Sequence, residues 1–368
     1  MKNPYIPEQL PPKSIDWSMH IKAIEDATIA IGKYDGVLQG IANPYVFLSP
    51  LIVREAMLSS QIEGTQVTLE EILQYEAVEG PSEPEKRDDL KEVSNYRKAM
   101  SDAVKLIDQR PLGINTICNI HRILLSDTRG KDKNPGEIRK RQNYIGTQGT
   151  DIGHATFIPP EPQLVMDAFS DWEKYLHSDG GSRLVQMAIL KAQFELIHPF
   201  LDGNGRIGRM LVPLILYYKK VLSRPTFYIS SYLEQNKIEY KQRLNAISEN
   251  NDWNGWVSFF LKAVVEQSKE NSNKAMQIID LNRHMNQMAP KIISSKYSTQ
   301  AIEAIFSSPI FDTNYFIRTS RIPRPSAVQI LKKLKENDVL YVHREGRGRK
   351  TTVYIFPKLI TITEGSGE

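Results

Sequence analysis

One cysteine, Cys118, occurs in the 368 residues. That excludes an intramolecular disulfide framework and a cysteine-based zinc site, and the setting of Cys118, Ile114 to Leu125 with His121, reads as a helix with ordinary packing. No run approaches the roughly eighteen apolar residues of a spanning helix, and Met1 to Trp17 is proline-rich without the apolar stretch of a signal peptide. A cytoplasmic protein with no membrane partner is expected. Excess charge is missing as well: 47 basic against 43 acidic residues leave a net charge of +4, too mild for a global electrostatic case for nucleic acid. The chain has no internal repeat and no G-x-x-x-x-G-K-[ST] loop, so any nucleotide is held by another scaffold.

What is present is mostly helical patterning, with 40% hydrophobic and 24% charged residues, which suits two or three domains with sizeable cores. The most informative stretch is His198-Pro199-Phe200-Leu201-Asp202-Gly203-Asn204-Gly205-Arg206-Ile207-Gly208-Arg209. After it, Ile207, Met210, Leu211, Leu214, Ile215 and Tyr218 fall on one helical face, which predicts a helix starting at about Asn204 or Gly205. A helix start carries unpaired N–H groups and the positive end of the macrodipole, so Gly203 to Arg206 can line an anion hole. Arg206 and Arg209 project from the first turn, where guanidinium forks suit phosphate oxygens. Asp202 is placed to hold Mg²⁺ shared with phosphates. His198 ends a preceding apolar helix, about Arg183 to Ile197, and its neutral imidazole could take a proton from a hydroxyl. A lone histidine beside proline is more often a buried core residue, but the anion-binding neighbours outweigh that reading here. Gly203 to Gly208 also satisfies G-x-G-x-x-G. That pattern needs a preceding strand within a βαβ unit, whereas Leu184 to Ile197 looks helical, so a Rossmann site is set aside.

The run from His198 to Arg209 resembles the signature loop of Fic-family nucleotidyl transferases, H-P-F-x-D-G-N-G-R-x-x-R, at every fixed position. Other stretches resemble the same family: Pro135-Gly136-Glu137-Ile138-Arg139 with Tyr144-Ile145-Gly146, which leads into a flap; Gly153 to Pro162; Asp252 to Leu261; and Tyr5 to Pro12. In the flap, Gly153, His154, Phe157 and Ile158 are the residues the resemblance implies for clamping an extended target segment by strand addition. Ser59-Ser60-Gln61-Ile62-Glu63-Gly64 fits the family's inhibitory pattern [ST]-x-x-x-E-[GN]. The resemblance implies that Ser59, Glu63 and Gly64 form an inhibitory element in which Glu63 takes Arg209 away from the ATP γ-phosphate. Such a charge-assisted contact is worth ~1.5 to 3 kcal/mol, about one to two decades in occupancy. Alone, the pattern is weak, since Glu63 could equally be a solvated helix-end carboxylate with Gly64 as C-cap. Tyr240 matches a family position near the adenine, although the neighbour that is often aromatic is Lys241 here.

Three sections are expected: residues 1–80, an N-terminal helical section with the inhibitory motif; 81–285, the catalytic core; and 286–368, a winged-helix-like domain and tail. A polar break at Glu79 to Asp89 marks the first boundary. In the last section Ala301 to Phe306 is a short helix candidate. Pro323 starts a segment whose Ala327, Ile330, Leu331 and Leu334 share a face. Tyr341 to Glu345 and Thr352 to Phe356 flank the basic tip Gly346 to Lys350 as a hairpin, and Glu364 to Glu368 reads as a disordered tail. This succession resembles a winged helix. DNA phosphates at Arg347, Arg349 and Lys350 and protein contacts, including a homodimer, stay open as its partners. The fold class is therefore mainly α, a helical Fic core with a small β-hairpin flap plus an α+β winged helix.

The expected function is transfer of AMP from ATP to a Ser, Thr or Tyr hydroxyl of a protein, with His198 as base and Asp202 holding Mg²⁺. The nucleotide would lie on Asp202, Gly203, Asn204, Gly205, Arg206, Gly208, Arg209 and Tyr240. Two alternatives remain: a DNA-binding regulator with a Fic sensor core, and a Fic enzyme that removes AMP or transfers another phosphate-linked group.

Overall fold

The apolar periodicity that predicts helices is met along most of the chain in a computed structural model describing residues 3–41, 43–77, 86–146, 151–348 and 351–365. In chain order the elements are α1 (Trp17–Gln39), α2 (Pro44–Phe47), α3 (Ser49–Ile62), α4 (Leu69–Ala77), α5 (Arg87–Ile107), α6 (Ile114–Leu124), α7 (Pro162–His177), α8 (Arg183–Ile197), α9 (Asn204–Tyr218), α10 (Ser230–Gln235), α11 (Lys237–Asn250), α12 (Trp253–Ile293), α13 (Ser298–Ser307), β1 (Ile310–Asp312), α14 (Thr313–Ser320), α15 (Arg324–Glu336), β2 (Tyr341–Arg344), β3 (Val353–Ile355) and α16 (Pro357–Glu364). The protein is mostly helical with a small three-stranded antiparallel sheet. The chain divides into two compact units, one formed by residues 1–35, 58–64 and 95–269 and the other by residues 36–57, 65–94 and 270–368. Most of the polar break from Glu79 to Asp89, the tip residues Arg349 and Lys350, and the last three residues of the tail lie outside the described residues.

In the first unit α8 is the central element, packed against α7, α9 and α11. Its sequence is apolar on nearly every face, and thirteen of its residues from Leu184 to Ile197 are buried, as a helix surrounded by others requires. Ser182 caps its start by accepting from the Val185 N–H. Two buried indoles find their acceptors on α8: Trp172 Nε1 donates to the Leu190 carbonyl at 2.7 Å and Trp256 Nε1 to the Ala188 carbonyl at 2.8 Å. Burying these rings costs no unsatisfied donor. Phe169, Trp172, Phe194 and Phe200 then form a chain of ring contacts that leads from α7 to the loop after α8.

The second unit contains the sheet, ordered β1-β3-β2, with Ile310 opposite Ile355 and Asp312 opposite Val353. β2 pairs with β3 across an irregularity between Val342 and Arg344. Helix α13 spans slightly more than the predicted Ala301 to Phe306, and α15 buries Ala327, Ile330, Leu331 and Leu334 on one face as their spacing predicts. Phe306 lies between Phe47 and Phe356, with ring centroids 5.4 and 5.6 Å away.

Candidate functional site

The predicted loop lies between α8 and α9, and its shape follows from residue type. Helix α8 ends at His198, whose left-handed backbone (φ 50°, ψ 59°) turns the chain while its N–H still donates to the Phe194 carbonyl; Pro199, which cannot continue a helix, follows. The next turn, at Gly203, has φ 77°, a region that penalises any side chain. Helix α9 then begins at Asn204, as expected. Asn204 is buried and its side-chain amide is used twice on the loop itself: Oδ1 accepts from the Phe200 N–H at 2.9 Å and Nδ2 donates to the Phe200 carbonyl at 2.8 Å.

The tautomer of His198 is set by its surroundings. Its Nδ1 lies 3.2 Å from the Glu195 carbonyl, an acceptor only, so Nδ1 carries the proton and Nε2 keeps a lone pair. Burial pushes the imidazole pKa down, against the opposing pull of Glu195, which keeps the ring neutral. Asp202 is half-exposed; its Oδ1 accepts from the Gly203 N–H and lies 3.4 Å from Arg206 Nη2.

The stretch from Ser59 to Gly64 meets Arg209, at the end of this run. Arg209, 1% exposed, donates through Nε to the Ser59 hydroxyl at 2.8 Å, and through Nη2 to the Ser59 carbonyl at 2.7 Å and to Glu63 Oε1 at 2.6 Å. Burial opposes the charge on both partners. Their attraction outweighs it, raising the arginine pKa and lowering that of Glu63. The carboxylate also lies against the first turn of α9: a Cβ at Gly205 would come within 2.2 Å of Glu63 Oε1. Gly64 follows with φ 102°, so the chain turns sharply right after the glutamate.

Tyr240 lies on α11, buried against Trp256 and Phe259, with its hydroxyl accepting from the buried Lys191 ammonium at 2.9 Å. Lys191 also pairs with Glu195 at 2.6 Å, and Gly208 faces that pair. In the expected flap, Ile145 and Phe157 form an antiparallel bridge. Gly153 and His154 are exposed on a 3-10 turn, with His154 beside Asp151, while Phe157 and Ile158 are buried. Phe157 exchanges backbone hydrogen bonds with Ile145 on one side, and on the other the Ile158 carbonyl accepts from the Tyr5 N–H at 2.9 Å. The Tyr5 ring also contacts Phe157.

Two more residues shape the loop, and the sequence leaves them unmarked. His121, fully buried on α6 and stacked on Phe200 at 3.8 Å, accepts from the Gly136 N–H through Nδ1 at 2.8 Å, and its Nε2 lies 3.0 Å from the Asp202 carbonyl. The first contact fixes the proton on Nε2, which then donates to that carbonyl. Arg139 donates to four backbone carbonyls around His198. Among the described residues neither has a partner side chain of complementary charge that a sequence pattern could advertise; only the P-G-x-x-R run gave a hint of Arg139.

The helical scaffold thus sets a neutral histidine beside a helix start and two arginines. The profile of the Fic/DOC family N-terminal region matches residues 21–105 and that of the Fic/DOC family residues 111–216. Together they cover just over half of the chain, which belongs to the Fic/DOC family. The chain is similar to the protein adenylyltransferase Fic of Drosophila willistoni, 34% identical over 164 residues, or 42% of this chain and 30% of that protein. The Drosophila ananassae counterpart is 31% identical over 160 residues, again 42% and 30%. The chain thus spans about a third of the length of these curated relatives. Among solved structures, a Fic family protein from Desulfovibrio desulfuricans G20 superposes with a TM-score of 0.60 at 19% identity, over 94% of this chain and 98% of that one. Fic-1 (aa134–508) from C. elegans gives 0.54 at 20%, over 71% and 72%. At such identities the likeness is one of fold.

Proposed function

We propose that this chain transfers AMP from ATP to a Ser, Thr or Tyr hydroxyl of a protein, itself included, and that Glu63 holds the reaction back. The observation that carries the reading is the Glu63 carboxylate, 2.6 Å from Arg209 and against Gly205. It is an anion occupying the place at the α9 start where a phosphate would sit. When Glu63 withdraws, Arg209 and the turn from Gly203 to Arg206 are available to β- and γ-phosphate oxygens. His198 Nε2 then takes the hydroxyl proton as that oxygen forms a bond to the α-phosphorus and the bond to pyrophosphate breaks. Most of the acceleration is positioning and preorganised charge.

Asp202 fits Mg²⁺: it is a half-exposed hard carboxylate at the phosphate end of the loop. Among the described residues no group of three or more His, Cys, Asp or Glu side chains is set to hold a metal; the ion would be held through this one carboxylate plus nucleotide phosphates. When bound, it would neutralise phosphate charge.

Purified wild type, Glu63→Gly and His198→Ala incubated with ATP and Mg²⁺ test the reading by intact-protein mass. An AMP adduct should accumulate faster in Glu63→Gly than in wild type and be absent from His198→Ala. No adduct in any of them, with ATP still bound, would overturn self-modification and favour AMP removal.

A second reading concerns the other unit. The order α13-β1-α14-α15-β2-β3 with sheet order β1-β3-β2 supports a winged helix, and Arg324, Gln329, Lys332, Arg344 and Arg347 are exposed on α15 and beside the hairpin. Such a face suits duplex DNA. Retention on duplex DNA that falls steeply with salt supports this; no retention at low salt rejects it.

A further inference from the structure

Arg139 is 2% exposed, and among the described residues no carboxylate forms an ion pair with it. Its guanidinium is instead satisfied by backbone oxygens: Nε donates to the His198 carbonyl at 2.8 Å, Nη2 to the Pro160 carbonyl at 2.6 Å and the Ile197 carbonyl at 3.4 Å, and Nη1 to the Arg141 carbonyl at 3.2 Å. Its own N–H donates to the Pro199 carbonyl at 2.9 Å. Two of these oxygens, on Ile197 and His198, close α8, where the macrodipole is negative and favours a cation. The Pro160 oxygen belongs to the end of the flap. Two further side chains of the segment reach one side each: Gln142 Nε2 donates to the Pro159 carbonyl at 2.9 Å and Asn143 Nδ2 to the Phe200 carbonyl at 3.1 Å. Segment 139–143 therefore joins the flap end to the loop bearing the base, at three points, with Arg139 bonding to both sides at once.

We propose that Arg139 is the positioning residue that makes the flap and His198 one rigid body, so that the hydroxyl presented on the flap meets Nε2 at a fixed place. This rests on the transfer reading above. The left-handed backbone of His198 leaves its carbonyl pointing away from the α8 ladder, and a planar fork with several donors is the one side chain that can hold that carbonyl together with those of Ile197 and Pro160. Lysine would carry the charge but has no fork.

The test uses the full chain with Glu63→Gly as the active parent, adding Arg139→Gln or Arg139→Lys. Self-modification turnover should fall about 100-fold for Gln and less for Lys, while the ATP dissociation constant stays within about threefold of the parent. By hydrogen exchange, peptides covering 151–160 and 195–200 should both open about tenfold more, with the α9 interior unchanged. Turnover within about threefold of the parent in both variants overturns the proposal, as does ATP affinity falling as far as turnover, or exchange rising in one peptide without the other. Should Arg139→Gln not fold, Arg139→Lys decides. A parent that transfers no AMP removes the functional reading only, and the exchange experiment in the otherwise wild-type chain then judges the coupling by itself.

Discussion

His121 shows how one buried side chain can tie a loop to pH. Burial, opposed by the bond to the Asp202 carbonyl, pulls its pKa down from 6.5 to about 4. Between those values the unfolded chain binds a proton that the folded one refuses, so the contribution to stability is full above about 6.5 and is lost as pH falls towards about 4. The loss amounts to roughly 3 kcal/mol. Urea unfolding at pH 7.5 and pH 4.5 should show a larger drop in wild type than in His121→Gln; equal drops would remove His121 as the cause. Gly205 makes a different prediction. In Gly205→Ala the new methyl would sit 2.2 Å from Glu63 Oε1. It should displace that side chain and give up its bond to Arg209, yet leave the protein inactive even with Glu63→Gly, because the same methyl obstructs a phosphate. Activity at the level of the Glu63→Gly parent would contradict a phosphate position there. His198, Asp202 and the arginines could be marked in the sequence because they belong to a dense run of unusual residue types. His121 and Arg139 could not, because their partners are backbone atoms, which every residue supplies.

At the scale of elements, periodicity gave the end of α8, the start of α9 and the end of α15 nearly to the residue, since each has an apolar pattern with a clear boundary: His198-Pro199, Gly203 and Asn337. It gave nothing on how α3 brings Ser59 and Glu63 to Arg209, some 150 residues away; only the resemblance of S-x-x-x-E-G to an inhibitory pattern pointed there. The role of α8 as the buried hub carries its own prediction. Trp256→Ala would empty a fully buried site and strand the Ala188 acceptor, costing about 3 to 5 kcal/mol, whereas Trp256→Phe should cost distinctly less. Thermal unfolding of the two variants checks the order, and similar costs would show that the lost Nε1–H bond, common to both variants, outweighs the ring volume. Tyr240 illustrates the opposite limit: its place in the chain was legible, but its bond to Lys191 was not, because a lysine at the centre of an apolar helix looks like an ordinary polar break until its partners are known.

For the molecule as a whole, the two compact units are not consecutive stretches of sequence. The chain enters and leaves each more than once, and α12 runs from the first unit into residues of the second. Composition could indicate two or three domains but not this interleaving, since the polar run Glu266 to Lys274, where α12 passes from one unit to the other, reads in the sequence like a solvated helix surface rather than a boundary. Two separate cores predict that unfolding is not a single cooperative step. Calorimetry should give a measured enthalpy larger than the van 't Hoff value, and Phe306→Ala, which empties the core of the second unit, should move only part of the transition. One transition with equal enthalpies, shifted entirely by that variant, would show that the units melt together.

The bond from the Tyr5 N–H to the Ile158 carbonyl means that the open edge of the flap is already read by the protein's own leading segment. On the transfer reading, a foreign strand would arrive by exchange with a tethered competitor whose local concentration does not dilute. Sparse or weak targets would then be turned away before chemistry begins, and selectivity would be a matter of displacing a resident rather than filling a vacancy.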